Sequence, residues 1–241
     1  TLIHNAQVIA DGFREIPCGA VLVEEGKIIA LMPEAEWMTQ AENADEVIDA
    51  EGLMLTPGLI DIHIHGAAGE DLISGKGEAA EAVSRNVAKD GCTAFMASLT
   101  VVSHDRLLEI LRGLAAVTDL PGAAMLGIHS EGPYLSPDYK ALMDERYLRD
   151  PSLKELQEMV EAAQGRLKVM TVAPERKGMD GLIQAAVQAG ITVMVGHTNA
   201  TSADVHRASL AGAAGFTHLY NAMSQHLHRD PGTVTGAFLE E

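Results

Sequence analysis

"IDIHIHGAAGED", residues 60–71, alternates apolar and polar side chains and then runs into glycine. In an extended chain successive side chains point to opposite faces, so Ile60, Ile62 and Ile64 line one face and Asp61, His63 and His65 the other. A strand buried on both faces reads as an unbroken apolar run; this one must present its polar stripe to solvent or to a polar interior. Taken alone, the stripe suits an edge strand with two solvated histidines as well as it suits a pair of ligands.

The rhythm of the chain changes just before this stretch, near Pro57. Upstream lie short β-type runs, "TLIHNAQVIA" (1–10), "GAVLVEEGKIIAL" (19–31) and "EVIDAEGLML" (46–55), with Glu25-Gly26 as a hairpin turn. They predict a small β unit over 1–54. Downstream, over 55–241, strand-like runs at 59–65, 93–100, 124–130, 167–173, 191–197 and 215–221 alternate with helical patterns at 78–90, 104–117, 152–164, 179–189 and 202–212. Ser103, Ser152 and Thr201 stand as candidate N-caps. Six repeats of one βα unit predict an α/β fold built on a parallel sheet.

Composition narrows what such a fold can serve. The chain has 241 residues, 47% of them hydrophobic, enough for a large core. A formal net charge of −17 argues against nucleic acid and against an anionic membrane surface, since either partner needs a basic patch. A local site can still be positive enough for a small anionic substrate. Cys18 and Cys92 are far apart and in no paired spacing, which fits a reducing cytoplasm. No apolar run approaches the roughly 20 residues of a membrane span, and no basic region followed by an apolar one opens the chain. A cytoplasmic protein is expected.

Placed on the βα frame, the polar residues gather at one end. His63 and His65 close the first strand, His129 and Glu131 the third, His197 the fifth and His218 the sixth. C-terminal strand ends are where parallel barrels and open sheets build their sites. Each histidine alone reads more simply as a solvated or hydrogen-bonded one; five of the ten at one rim point to a site. Neutral imidazoles with a carboxylate suit a divalent ion of the zinc or iron type, and three protein ligands with one open position make a catalytic centre. Such an ion lowers the pKa of its water from about 15.7 to roughly 7 and polarises a carbonyl, chemistry suited to amide or ester hydrolysis. Nucleophilic catalysis is the weaker alternative, because neither a G-x-S-x-G elbow nor a histidine partner near either cysteine is present; a phosphate loop is absent too.

"PGLIDIHIHG" (57–66) resembles the first-strand signature of the amidohydrolase superfamily. "GIHSEGPYLSP" (127–137), "TVAPE" (171–175), "GHTNAT" (196–201) and "THLYNAM" (217–223) together resemble the N-acetylglucosamine-6-phosphate deacetylase family within it, and the likeness runs over essentially the whole chain. The resemblance implies a TIM-like (β/α)8 barrel of the metal-dependent hydrolase type, apparently incomplete here with six strands read, beside a small N-terminal β-sandwich unit. It implies hydrolysis of the acetamido group of N-acetylglucosamine 6-phosphate by a homodimer with a shared active site, with no nucleic acid or membrane partner.

Carried over residue by residue, Glu131, His197 and His218 match the family's metal ligands, and His63 and His65 complete a second position. One or two divalent ions per subunit follow, zinc or iron first and manganese or cobalt also accepted. Glu131 takes the bridging place that a carbamylated lysine fills in dihydroorotase-like and urease-like branches. Asn221 and Ala222 match a substrate-contacting pair, and Arg229 an arginine that reaches the sugar phosphate from the neighbouring subunit, a task suited to a forked guanidinium. Leu142 is carried as a contact through its backbone, whereas Met143 reads as part of a lid that packs on the barrel mouth.

The family continues through two more barrel strands, with a catalytic aspartate beyond Glu241 and further β residues that complete the small unit. The 241 residues alone are therefore expected to hold an ion, turn over slowly and leave the sixth strand as an edge prone to association. Asp61 is the nearest alternative base by strand parity. Two other readings stay open, an amidohydrolase for a different N-acyl substrate and a non-catalytic metal- or sugar-phosphate-binding fragment.

Overall fold

The computed structural model describes residues 1–240, which form two compact units, Thr1–Gly58 and a second from Leu59 onward. In the first unit strands β1 (Leu2–Ile9), β2 (Glu15–Glu24), β3 (Lys27–Pro33), β4 (Val47–Asp49) and β5 (Met54–Leu55) make a single sheet ordered β3-β2-β1-β4, with β5 also on β1. The β2–β3 hairpin turns at Glu25-Gly26 with φ of 48° and 74°. Both central residues are thus left-handed, the two-residue turn that matches strand twist. The expected sandwich is one mixed sheet among the described residues. Leu2, Ala20 and Met32 are buried on one side with Trp37 and Ala41 packed against them, so a short helical segment, α1 (Met38–Ala41), accompanies a cluster that a second sheet was expected to cover.

The second unit is the βα series. Its strands are β6 (Leu59–Ile64), β9 (Cys92–Leu99), β10 (Ala124–Glu131), β11 (Leu167–Val172), β12 (Thr192–Val195) and β13 (Gly215–Phe216), with a two-stranded ribbon of β7 (Gly66–Ala67) and β8 (Glu70–Asp71) after the first. The helices are α2 (Gly77–Lys89), α3 (His104–Ala115), α4 (Leu153–Ala163), α5 (Met179–Gln188), α6 (Ser202–Ala211) and α7 (Thr233–Leu239). All pairings in the six-stranded sheet are parallel and its order, β6-β9-β10-β11-β12-β13, is chain order. A doubly wound sheet reverses its order at a switch point. Without a reversal every right-handed crossover places its helix on the same side, and the sheet curls around the other: a half-barrel.

Period-two alternation sorts the two faces. Phe95, Ala97 and Leu99 join Ile128, Met170 and Val193 in the core beneath the helices, while Met96, Val169 and Met194 line a cavity of about 680 Å³ on the concave side. Ser152 and Thr201 cap their helices through side-chain oxygens, and Thr201 makes a full capping box with Asp204. Ser103 sits at the N-cap of α3, but its hydroxyl makes no capping bond.

Two strands depart from the expected form. The sixth, read over 215–221, pairs only at Gly215–Phe216, because the chain beyond it takes positive φ at His218, Tyr220 and Ala222 and leaves the ladder. The fifth likewise stops at Val195, two residues short of His197. In β6 the register slips between Asp61 and Ile64, so strict alternation fails: Ile62 and His63 line the same cavity, and of the three isoleucines only Ile64 packs against the core. Such a slip is a bulge, which re-aims side chains next to a site.

Candidate metal centre

Four side chains converge on one buried carboxylate at the C-terminal rim of the half-barrel. Glu131 ends β10 and is 3% exposed. Its Oε2 lies 3.4 Å from His63 Nε2 and 3.1 Å from His65 Nε2, and its Oε1 lies 3.1 Å from His197 Nε2 and 2.9 Å from His218 Nε2. Each carboxylate oxygen therefore serves one histidine pair. His197 and His218 reach it from loops in which their own φ values are 48° and 38°. Left-handed backbone is unfavourable for residues with a Cβ and gathers at functional sites.

The ring orientations are set from behind. His65 Nδ1 donates to the Ser98 carbonyl at 3.1 Å, His197 Nδ1 to the Tyr139 carbonyl at 2.8 Å and His218 Nδ1 to the Asn221 carbonyl at 3.1 Å. A carbonyl only accepts, so each Nδ1 carries a proton and each Nε2 faces Glu131, donating to it when the ring is protonated and offering a lone pair to a cation when the ring is neutral, the arrangement by which ligating histidines are held. Nε2 atoms pair at 3.1 Å in both His63–His65 and His197–His218. A gap of that kind holds at most one proton, whereas zinc bonds of about 2.0–2.1 Å set at a tetrahedral angle separate two nitrogens by about 3.3 Å. Two sets of three donors that share Glu131, one with His63 and His65 and the other with His197 and His218, are each close enough together to hold a metal ion.

The charge states follow from the same contacts. Burial would raise the Glu131 pKa, but hydrogen bonds from the histidines outweigh it and hold the carboxyl far below the usual carboxylate range. The bond to Glu131 raises His65 and His218 against the opposing effect of burial. Burial, reinforced by neighbouring His63, pushes His129 down to about 3, so this ring is neutral beneath the cluster.

The amidohydrolase family model matches residues 54–237. The chain belongs to this family. It is 32% identical over its whole length to N-acetylglucosamine-6-phosphate deacetylase of Bacillus subtilis (strain 168), covering 61% of that protein, and 30% identical over 88% of its length to N-acetylgalactosamine-6-phosphate deacetylase of Escherichia coli O157:H7, covering 54%. Crystal structures of N-acetyl-D-glucosamine-6-phosphate deacetylase from Mycobacterium smegmatis superpose on all of it with TM-scores of 0.89 and, for a mutant in complex with N-acetyl-D-glucosamine-6-phosphate, 0.87, both at 28% identity and over 61% of the longer chain. The chain thus spans less than two thirds of the length of these relatives.

Around the histidine–glutamate cluster of this amidohydrolase, a cavity of about 440 Å³ is bounded by the histidines, Thr100, Val101 and the 141–144 loop. Met143 anchors that loop by packing on Val101 and Leu135, whereas Leu142 at its tip is fully exposed on the cavity rim. Asn221 and Ala222 act through backbone, the first accepting from His218 Nδ1 and the second accepting the Thr198 amide at 3.2 Å. Arg229 is exposed, lies outside the cavity lining and pairs with no carboxylate among the described residues. Asp61 is turned to its own strand, accepting the His63 amide at 3.0 Å. Glu175, the last residue of "TVAPE", has a task that the motif alone does not reveal. Its carboxylate takes the Thr198 hydroxyl and, at 2.8 Å, the Asn199 amide, clamping the loop directly after His197. A carboxylate three residues past the end of an apolar strand was the available signal.

Proposed function

We propose that this chain holds the ions of a deacetylase that hydrolyses the acetamide of N-acetylglucosamine 6-phosphate to glucosamine 6-phosphate and acetate. The observation that carries the reading is the placement of Glu131, one oxygen toward each histidine pair. Similarity along the whole chain to the Bacillus subtilis deacetylase supports the substrate, and the Mycobacterium smegmatis complex supports a phosphorylated amino sugar. A divalent ion held by Glu131, His197 and His218, with a second on His63 and His65, would supply Lewis acidity toward the acetyl carbonyl and a water acidified to a pKa of roughly 7. Zinc or iron suits the nitrogen and oxygen donors, with manganese and cobalt also accepted.

The chain's own residues divide the remaining tasks. Ser98, Tyr139 and Asn221 hold the imidazoles in the ligating tautomer. The 141–144 loop forms one wall of the cavity, where the Leu142 backbone and the Asn221-Ala222 pair meet the sugar. Arg229 binds the phosphate of the substrate in a partner subunit of a cytoplasmic homodimer, which agrees with its exposure and with the lack of a carboxylate partner for it among the described residues. No helix among the described residues is long and apolar enough to cross a membrane.

A second reading, deacetylation of N-acetylgalactosamine 6-phosphate, is favoured by the Escherichia coli relative. Acetate release by the purified protein from N-acetylglucosamine 6-phosphate, its galacto epimer and unphosphorylated N-acetylglucosamine separates the two. The first substrate is expected to be the best and the unphosphorylated sugar the worst. Preference for the galacto epimer replaces the first reading by the second, and equal use of the unphosphorylated sugar removes the phosphate from both.

A further inference from the structure

Beneath the ligands lies a buried polar chain that the metal centre does not use directly. Ser98, His129, Thr171 and Thr217 come from β9, from β10, from β11 and from the turn after β13, and all are buried. Ser98 Oγ bonds His129 Nδ1 at 3.0 Å, His129 Nε2 bonds Thr171 Oγ1 at 2.7 Å, and Thr171 Oγ1 bonds Thr217 Oγ1 at 2.7 Å. Gly196 leaves room for the last step, since a Cβ there would stand 2.8 Å from Thr171 Cγ2 and 2.9 Å from Thr217 Cβ. Buried polar groups are unfavourable unless fully bonded, and when fully bonded they fix a single arrangement.

We propose that His129 is the positioning residue for the first-strand pair, His63 and His65. Three of the four ligand rings are held through Nδ1 by a backbone carbonyl; His63 has no such bond among the described residues and meets the His129 ring instead, with centroids 4.9 Å apart and planes at 88°. His129 is itself fixed at both nitrogens, so its ring plane sets the wall against which His63 can sit. Ser98 is shared: its hydroxyl bonds His129 and its carbonyl takes the His65 Nδ1 proton. One imidazole thereby touches His63 directly and His65 through one residue. His218 has its own carbonyl in Asn221 and does not depend on this device. The inference rests on the reading of these histidines as ion ligands.

Zinc titration of chelator-stripped protein against a competing dye tests it. His129→Asn removes the ring from His63 and the bond to Thr171, and Thr171→Val removes only the Nε2 partner; each is made in the parent and in a His63→Ala/His65→Ala background. In the parent, His129→Asn should weaken the zinc held by the first-strand pair about 10-fold or more, and Thr171→Val less, as is usual for residues that orient ligands. Over the double alanine background either change should leave the remaining zinc within about twofold, because the interaction being removed is already gone. Equal losses in the two backgrounds mean a general structural role and overturn the proposal, as does no loss in either. Should His129→Asn fail to fold, Thr171→Val is judged by the same comparison. Parent protein that binds no zinc overturns the metal centre and this inference together, whereas zinc-binding parent with unchanged variants overturns the inference alone.

Discussion

The Nε2 atoms of His197 and His218 stand 3.1 Å apart, and both face the same oxygen of Glu131. With Nδ1 of each ring committed to a carbonyl, two lone pairs confront each other across that gap unless a proton or a cation lies between. Proton and ion therefore compete for one place. The bond to Glu131 raises His218 and His65 above the ordinary histidine pKa of about 6.5, so in the ion-free protein their protonation begins above that pH. Zinc affinity is expected to fall steadily from pH 8 to pH 6, with protons released on binding at pH 7, measurable by calorimetry in buffers of different ionisation enthalpy. Affinity that is flat over this range contradicts the shared place.

Glu175 clamps the two residues after His197. Glu175→Gln keeps the volume but loses the charge that draws in the Thr198 hydroxyl and the Asn199 amide. Zinc affinity should drop about 10-fold or more, in the range found for residues that orient a ligand, while the denaturant midpoint moves little because the clamp is on the rim. Unchanged affinity would make Glu175 a surface residue without a part in holding His197.

The origin of these clamps also marks what could be read beforehand. The alternation of strand and helix was legible because each βα unit repeats the same switch of period, from two in "TAFMASLT" to helical in the segment at 104–117. The gathering of Glu131, His197, His218, His63 and His65 was legible because residue types that suit a cation recur at or just past successive strand ends. The slip in β6 was not, since Asp61–Ile64 alternates perfectly in sequence and the bulge is settled by pairing with β9. Nor was the early end of β13, where Phe216, Thr217 and Tyr220 favour a strand and the left-handed turn at His218 overrides them. His129 read as one more histidine of the rim and Thr171 carried no task; their bond joins positions 42 residues apart.

Thr201 and Asp204 cap α6 reciprocally. Thr201→Ala should destabilise by about 1 kcal/mol, the usual effect of losing an N-cap hydroxyl. Burial tends to raise the Asp204 pKa, but bonds from Thr201 and Arg207 outweigh it and the folded-state pKa is lowered. A lowered carboxyl contributes stability that is full above the unfolded pKa of about 3.9 and is lost as pH falls through the folded value. Urea midpoints of the parent and Asp204→Asn should therefore differ at pH 7 and converge below about pH 3. A difference that persists in acid would assign the effect to shape rather than charge.

Arg229→Ala should weaken binding of N-acetylglucosamine 6-phosphate by about 1.5–3 kcal/mol, the worth of a hydrogen bond to a charged group, and leave unphosphorylated N-acetylglucosamine nearly unaffected. Calorimetry with both sugars checks it. Equal losses would remove the phosphate from the task assigned to this exposed guanidinium.

Everything above turns on Glu131 as the bridge between two histidine pairs. Glu131→Gln keeps the side-chain volume and removes the anion that both candidate sites share. Elemental analysis of parent and variant, dialysed side by side against metal-free buffer after loading with zinc, is the direct test. The parent should retain at least one ion per chain and the variant essentially none; a variant that keeps the parent's content would place the ion elsewhere and contradict the account.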